Sequence, residues 1–166
     1  MTVAYEAMVF AREVHKDQKR KYTGNPYADH LAEVAGIAVT ACPITLRPDV
    51  MVAVSWLHDC IEDQGVSVET LSEKFGAEIA RAVQFLSDTE KGNRAERKAA
   101  ARQRLAGAWD WVQTIKVADL ISNTASIVQH DPKFAAVYLE EKRLLLDVLT
   151  KADARLVQIA RTQVVA

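Results

Sequence analysis

The sequence predicts an all-α fold, and three observations carry that expectation. Apolar residues recur at three- and four-residue spacing along most of the chain, the pattern of helices that bury one stripe. No stretch alternates apolar and polar residues for long, as a half-buried strand would. Glycine and proline, the strongest punctuation of local structure, number only 6 and 4 among 166 residues. The length is enough for one substantial core. With no internal repeat, low-complexity tract or linker, a single compact domain over residues 1–166 is expected.

The first helix is expected over about residues 2–18, with Tyr5, Met8, Val9, Ala11 and Arg12 on or near one side. Gly24 and Pro26 then mark a loop over residues 20–26. A second helix follows over about 27–40 and ends at Cys42-Pro43. A third opens at Pro48-Asp49, since proline is tolerated in a first helical turn, and is expected to run unbroken to about Asp63, where Gln64-Gly65 stops it. Residues 67–75 form a short amphipathic helix closed by Gly76. Further helices are expected over 77–86, 94–105 and 109–129. Asp131-Pro132 reads as an N-cap and first turn, opening one long C-terminal helix, straight or bent, through Leu139, Leu144, Leu146, Leu149 and Ile159.

A formal net charge of −1 supplies no global basic field, so a nucleic-acid partner is not expected and any anionic ligand must meet a local basic patch. Cys42 and Cys60 have neither CxxC spacing nor the look of a disulfide framework, and reduced thiols in a cytoplasm are the simpler reading. The N-terminus lacks the basic and apolar regions of a signal peptide. No apolar run approaches the roughly 20 residues that span a bilayer, so no membrane partner is expected.

The chemistry concentrates in Trp56-Leu57-His58-Asp59-Cys60-Ile61-Glu62-Asp63. On a helical wheel Val50, Ala53, Val54, Leu57, Cys60 and Ile61 fill an apolar arc, while His58, Asp59, Glu62 and Asp63 fall together opposite it. Four ionisable groups on one side are also what a solvated face looks like. The adjacent His-Asp is less usual, because imidazole and carboxylate are what a divalent transition metal takes. His30 sits one turn into the second helix. Asp119 is a carboxylate within an otherwise apolar helical stretch, with Asn123 four residues on and on the same face. Spacing alone leaves an ordinary salt bridge as the alternative for Asp119. His15 and His130 lie near helix ends and read as surface residues. Trp109 and Trp111 read as core or interface rather than as a base-stacking platform.

His30, then His58-Asp59, then Asp119, in that order on separate helices, resembles the HD phosphohydrolase superfamily. The likeness is closer still to the hydrolase domains of the Rel/SpoT type. Arg20-Lys21-Tyr22-Thr23-Gly24-Asn25-Pro26-Tyr27-Ala28-Asp29-His30 resembles their arginine-lysine, glycine, proline-tyrosine, histidine segment. Leu57-His58-Asp59-Cys60-Ile61-Glu62-Asp63 resembles their histidine-aspartate and glutamate-aspartate motif, and residues 115–123 their lysine, alanine-aspartate and asparagine motif. Length and the lack of a synthetase domain make the chain similar to a free-standing small alarmone hydrolase. The resemblance implies an HD-type helical fold and a manganese ion held by His30, His58, Asp59 and Asp119. It implies hydrolysis of the 3′-pyrophosphate of (p)ppGpp to GDP or GTP and pyrophosphate, with Glu62 and Asp63 as the catalytic acidic pair. Arg20 and Lys21 carry over to the loop that meets the base and nearby phosphates, and Asn123 to a contact near the ribose or phosphate. Two departures bear on substrate identity. Leu120 and Ser122 stand where the motif often has arginine and histidine, and the loop at Tyr22-Thr23-Gly24 is one residue longer than in the long bifunctional enzymes.

A substrate with several phosphates needs cations. The densest local source is residues 90–98, from which Lys91, Arg97 and Lys98 are the expected phosphate contacts, a solvated mixed-charge helix being the alternative. The expected partner is thus a small-molecule nucleotide, and the sequence is compatible with a homo-oligomer. Two other functions remain open at this point: an HD enzyme for another nucleoside phosphate or for the phosphate of NADPH, and a silent module that binds nucleotide. The retained Glu62-Asp63 pair argues against silence.

Overall fold

The computed structural model describes residues 1–165. Among them all regular structure is helical, as expected, apart from one isolated bridge between Lys19 and Pro26. The chain falls into two compact units, Met1–Thr89 and Glu90–Ala166.

The first unit holds α1 (Val3–Val14), α2 (Tyr27–Val39), α3 (Pro48–Leu57), α4 (Cys60–Gln64), α5 (Val68–Phe75) and α6 (Ala77–Leu86). Helix α3 is apolar almost all round, and such a helix must be enclosed. It packs against α1, α2 and α6. Met51, Val54 and Leu57 are fully buried there, with Leu31, Val34 and Ala38 of α2. Each such large apolar side chain contributes about 1.5–3 kcal/mol on leaving water. Helix α5 is capped by the Ser67 hydroxyl, which accepts from Thr70 N at 3.0 Å.

Four expectations fail in this unit. Helix α1 ends at Val14 rather than near residue 18, and His15 is buried, 2% exposed, rather than on the surface. The third predicted helix is not continuous: it breaks at His58-Asp59 into α3 and α4. Asp59 takes φ −100° and ψ 0°, the sparsely populated bridge region where active-site residues often sit. The break has a local cause. The Ser55 carbonyl is among the last four of α3, which lack an intrahelical partner, and the His58 Nδ1–H meets it at 2.7 Å. The ring folds back into the core instead of following the wheel to the polar side. His58 is buried while Glu62 and Asp63 are exposed, so the four groups do not share one face.

The second unit holds α7 (Arg94–Ala106), α8 (Asp110–His130), α9 (Pro132–Val148) and α10 (Ala154–Val165). Helix α9 packs against α7, α8 and α10, and α8 also packs against α10. A capping box opens α7: Asn93 Oδ1 accepts from Glu96 N at 3.0 Å, and Glu96 Oε2 accepts from Asn93 N at 2.9 Å. Asp131 caps α9, accepting from Phe134 N at 3.2 Å as its sequence position implied. The single long C-terminal helix is a further miss. The chain turns over residues 149–153, and Asp153 restarts it by accepting from Leu156 N at 3.0 Å. Buried Gln113 secures that turn: its Nε2 donates to Leu105 O at 2.9 Å, and its Oε1 accepts from Lys151 N at 2.9 Å. Trp111 is buried, whereas Trp109 is partly exposed and stacks on it at 5.7 Å. Both cysteines are free thiols. No described helix is long and apolar enough to cross a membrane.

Candidate functional site

In the first unit, α2 and the break after α3 deliver an imidazole each to one carboxylate. His30 stands on the first turn of α2 and is 1% exposed. Its Nε2 lies 3.7 Å from Asp59 Oδ2, and His58 Nε2 lies 2.9 Å from the same oxygen. The two rings meet edge to face at 5.3 Å. The Ser55 carbonyl can only accept, so His58 Nδ1 carries the hydrogen, and in the neutral ring Nε2 presents a lone pair. Lone pairs gathered at these distances require a positive centre between them, a proton or a cation. Nitrogen from imidazole with oxygen from carboxylate is a donor set that fits a borderline divalent metal.

The same oxygen of Asp59 has a third partner. Tyr27, at the start of α2, donates its hydroxyl to Asp59 Oδ2 at 2.6 Å. The Tyr27 ring packs tilted against His30 at 5.4 Å and stacks on His15 at 5.2 Å with 22° between the planes.

Glu62 and Asp63 follow on α4, and each has one oxygen held. Glu62 Oε2 accepts from Asp88 N at 2.8 Å; Asp63 Oδ2 accepts from Gln18 Nε2 at 2.7 Å. Beneath them Cys60 is buried, and burial first, then the neighbouring Asp59 and Asp63 charges, holds its thiol far above the ordinary range. It is therefore a thiol, 3.7 Å from His15 Nε2.

The loop between α1 and α2 carries Arg20 and Lys21. It is closed at its base by Tyr27 N donating to Gln18 O at 3.0 Å and Arg20 N donating to Asn25 O at 2.8 Å. Gly24 makes its tip with φ 71°, a conformation glycine adopts without steric cost. Lys21 is exposed, its ammonium 4.8 Å above the Tyr22 ring, and Arg20 is half-buried.

In the second unit, α8 places Asp119 in a buried position. Lys116 pairs with its Oδ2 at 2.8 Å, and Asn123 Nδ2 donates to its Oδ1 at 2.7 Å. Asp119 thus carries an ion pair, which leaves its reading as a metal ligand open, and the same-face placement of Asn123 holds. Lys91 precedes α7 and is exposed; Arg97 is exposed on α7, and Lys98 is half-buried on the edge that carries Ala101 and Leu105.

Sequence reasoning missed three members of the first unit's network: His15, Gln18 and Tyr27 as a partner of Asp59. A signal for His15 was present, since Ala7, Ala11 and His15 are spaced by four and line one buried stripe. Nothing in the spacing announced Gln18.

The HD-domain family profile matches residues 7–132 of this chain. The guanosine-3′,5′-bis(diphosphate) 3′-pyrophosphohydrolase MESH1 of Danio rerio is 32% identical over 133 residues, 79% of this chain and 72% of that protein. This chain belongs to the HD-domain family. Other relatives of the HD domain are much longer proteins. The GTP pyrophosphokinase rsh of Brucella melitensis is 31% identical over 145 residues, 84% of this chain but 18% of that one. Among solved structures, the HD domain matches one described as a metazoan ortholog of SpoT that hydrolyzes ppGpp and plays a role in starvation responses. The TM-score is 0.86 at 22% identity, over 98% of this chain and 94% of that one, which shows the shared fold.

Proposed function

We propose that this HD domain, acting as one functional unit over residues 1–166, is a metal-dependent phosphohydrolase. Its reaction removes the 3′-pyrophosphate of (p)ppGpp, giving GDP or GTP and pyrophosphate. The observation that carries the reading is the convergence of His30 Nε2 and His58 Nε2 on Asp59 Oδ2, with a carboxylate pair on the next helix. Relatives named as 3′-pyrophosphohydrolases supply the substrate class.

In this reading His30, His58 and Asp59 hold the metal, manganese being the ion proposed, and Asp119 is the fourth ligand on the strength of its sequence motif. When bound, such an ion polarises a phosphoryl group and lowers the pKa of water. Glu62 and Asp63 align the attacking water and accept its proton. The Asp88 amide and the Gln18 side chain each anchor one oxygen of the pair, which fixes the direction of both carboxylates for that task. Arg20 and Lys21 meet the base and nearby phosphates, Asn123 the ribose or phosphate, and Lys91, Arg97 and Lys98 neutralise phosphate charge, which phosphoryl transfer depends on. A cytoplasmic location belongs to the same proposal, with the two free thiols in its favour.

The test is product identification. Incubated with ppGpp and manganese, the protein is expected to release GDP and pyrophosphate in equal amounts, to stop with EDTA and to resume when manganese is restored. Orthophosphate without pyrophosphate moves the activity to another nucleotide. Full turnover in verified metal-free protein removes the metal from the reaction.

A further inference from the structure

Four side chains form an unbroken polar chain that ends on Asp63, and the chemistry of its ends fixes the direction of every hydrogen in it. The Oδ2 of Asp63 accepts from Gln18 at 2.7 Å, so the end of Gln18 that meets it is the amide nitrogen. The amide oxygen of Gln18 therefore points the other way. There it accepts from Gln64 Nε2 at 2.5 Å and lies 2.6 Å from His15 Nδ1. An oxygen can only accept from that ring, so Nδ1 of His15 carries the hydrogen and Nε2 is bare. The bare nitrogen faces the Cys60 sulfur at 3.7 Å, and a bare nitrogen can only accept, so the thiol donates to it. The order is Cys60 to His15 to Gln18 to Asp63, each group donating to the next. Only one tautomer of His15 and one orientation of the Gln18 amide satisfy it.

His15 is locked from a further side, stacked on the Tyr27 ring whose hydroxyl holds Asp59. Gln18 also accepts Tyr27 N through its backbone oxygen at 3.0 Å. Gln18 thus touches the base of the Arg20–Lys21 loop with its main chain and the acid pair with its side chain. Its backbone N–H donates to His15 O at 3.0 Å, so all four polar atoms of this glutamine are engaged in defined directions, far more than solubility needs.

We propose that Gln18 is a positioning residue for hydrolysis: its amide, oriented by the Nδ1-protonated tautomer of His15, turns Asp63 so that one oxygen is anchored and the other faces the reacting water. The inference rests on the reading of Asp63 as a member of the catalytic pair. Nothing in the chain titrates during turnover; its part is to restrict the Asp63 side chain to one rotamer, as groups behind a reactive side chain do.

The test compares Gln18→Met, which keeps length and loses the amide, with His15→Asn, whose Nδ2 stands where Nδ1 stood, and His15→Leu, which has no donor. With ppGpp and manganese, Gln18→Met and His15→Leu are expected to lower kcat by about ten- to a hundredfold, the range for groups supporting an active side chain. KM, manganese content and Tm are expected to stay near the parent values, and His15→Asn to recover most of kcat. Placed in an Asp63→Asn background, Gln18→Met is expected to add no further loss. An Asp63→Asn enzyme that turns over normally defeats the reading of Asp63 itself. A crippled Asp63→Asn enzyme beside an unimpaired Gln18→Met one, or a full independent loss in the double variant, overturns the inference alone. A measurement on the unmutated protein needs no variant to fold: imidazole ¹⁵N spectra should show His15 with Nδ1 protonated. The Nε2-protonated form would overturn the proposed orientation.

Discussion

Tyr27→Phe isolates one bond in the candidate metal centre. The phenol donates to Asp59 Oδ2 at 2.6 Å, a short bond to a carboxylate whose side chain is only 15% exposed. Removing the hydroxyl leaves the ring, so its stacking on His15 and its contact with His30 persist. A hydrogen bond to a charged group contributes about 1.5–3 kcal/mol. That is roughly a ten- to hundredfold weakening of metal binding, the same range that loss of a group supporting a metal ligand produces elsewhere. Calorimetric titration of manganese into chelator-treated protein measures it directly. The expected result is a weaker Kd in that range with Tm in EDTA changed little, because the metal-free fold keeps its packing. An unchanged Kd would mean that the Tyr27–Asp59 bond does not shape the site. An equal fall of Tm with and without metal would make Tyr27 a structural residue.

Glu62→Gln and Asp63→Asn are each expected to keep manganese content and substrate affinity yet lose at least about a hundredfold in turnover, the lower end for general-base assistance; loss of metal, read by elemental analysis, would make the residue a ligand instead. Neutralising Lys91, Arg97 and Lys98 together should raise KM while leaving metal content alone, each charge-assisted phosphate contact contributing on the order of 1–3 kcal/mol, and an unchanged KM would leave them a solvated face. Lys142 supplies a pH test in the second unit. It is 1% exposed and donates to Thr124 Oγ1 at 2.8 Å and Gln163 Oε1 at 2.7 Å, and burial pushes it from its ordinary 10.5 down to about 8. Between those values the unfolded chain holds the proton more tightly, so this group makes stability rise with pH from about 8 to 10.5, with the cost of the buried charge constant below 8. The gap corresponds to at most about 3 kcal/mol. Urea unfolding across that interval should show the rise in the parent and not in Lys142→Met; parallel curves would refute it.

Helix existence was legible because it rests on apolar spacing, which packing then rewards. The stretch from Pro48 to Leu57 could hardly be anything else, and α5 and α6 begin and end close to their predicted limits at Ser67, Gly76 and Leu86. The misses share a physical cause. The break at His58-Asp59 comes from one side chain claiming the Ser55 carbonyl, and the turn before α10 from Gln113 seizing Lys151 N, 38 residues away in sequence. Neither interaction leaves a periodic trace. The candidate ligands His30, His58 and Asp59 were legible as motifs, and their convergence is geometric. The supports behind them were not, because Gln18 and Tyr27 act through single hydrogen bonds that any polar residue at a loop edge might or might not make.

The Arg20–Lys21 loop is pinned at both ends, at Gln18 and at Tyr27, and those two residues also brace Asp63 and Asp59. Residues between the pins therefore can be inserted, deleted or exchanged while the reactive groups stay where they are. Selection has a part of the molecule it can edit for ligand choice without rebuilding the chemistry. A longer or shorter tip around Gly24 is the kind of change such an arrangement permits, altering what the loop recognises before what the carboxylates do.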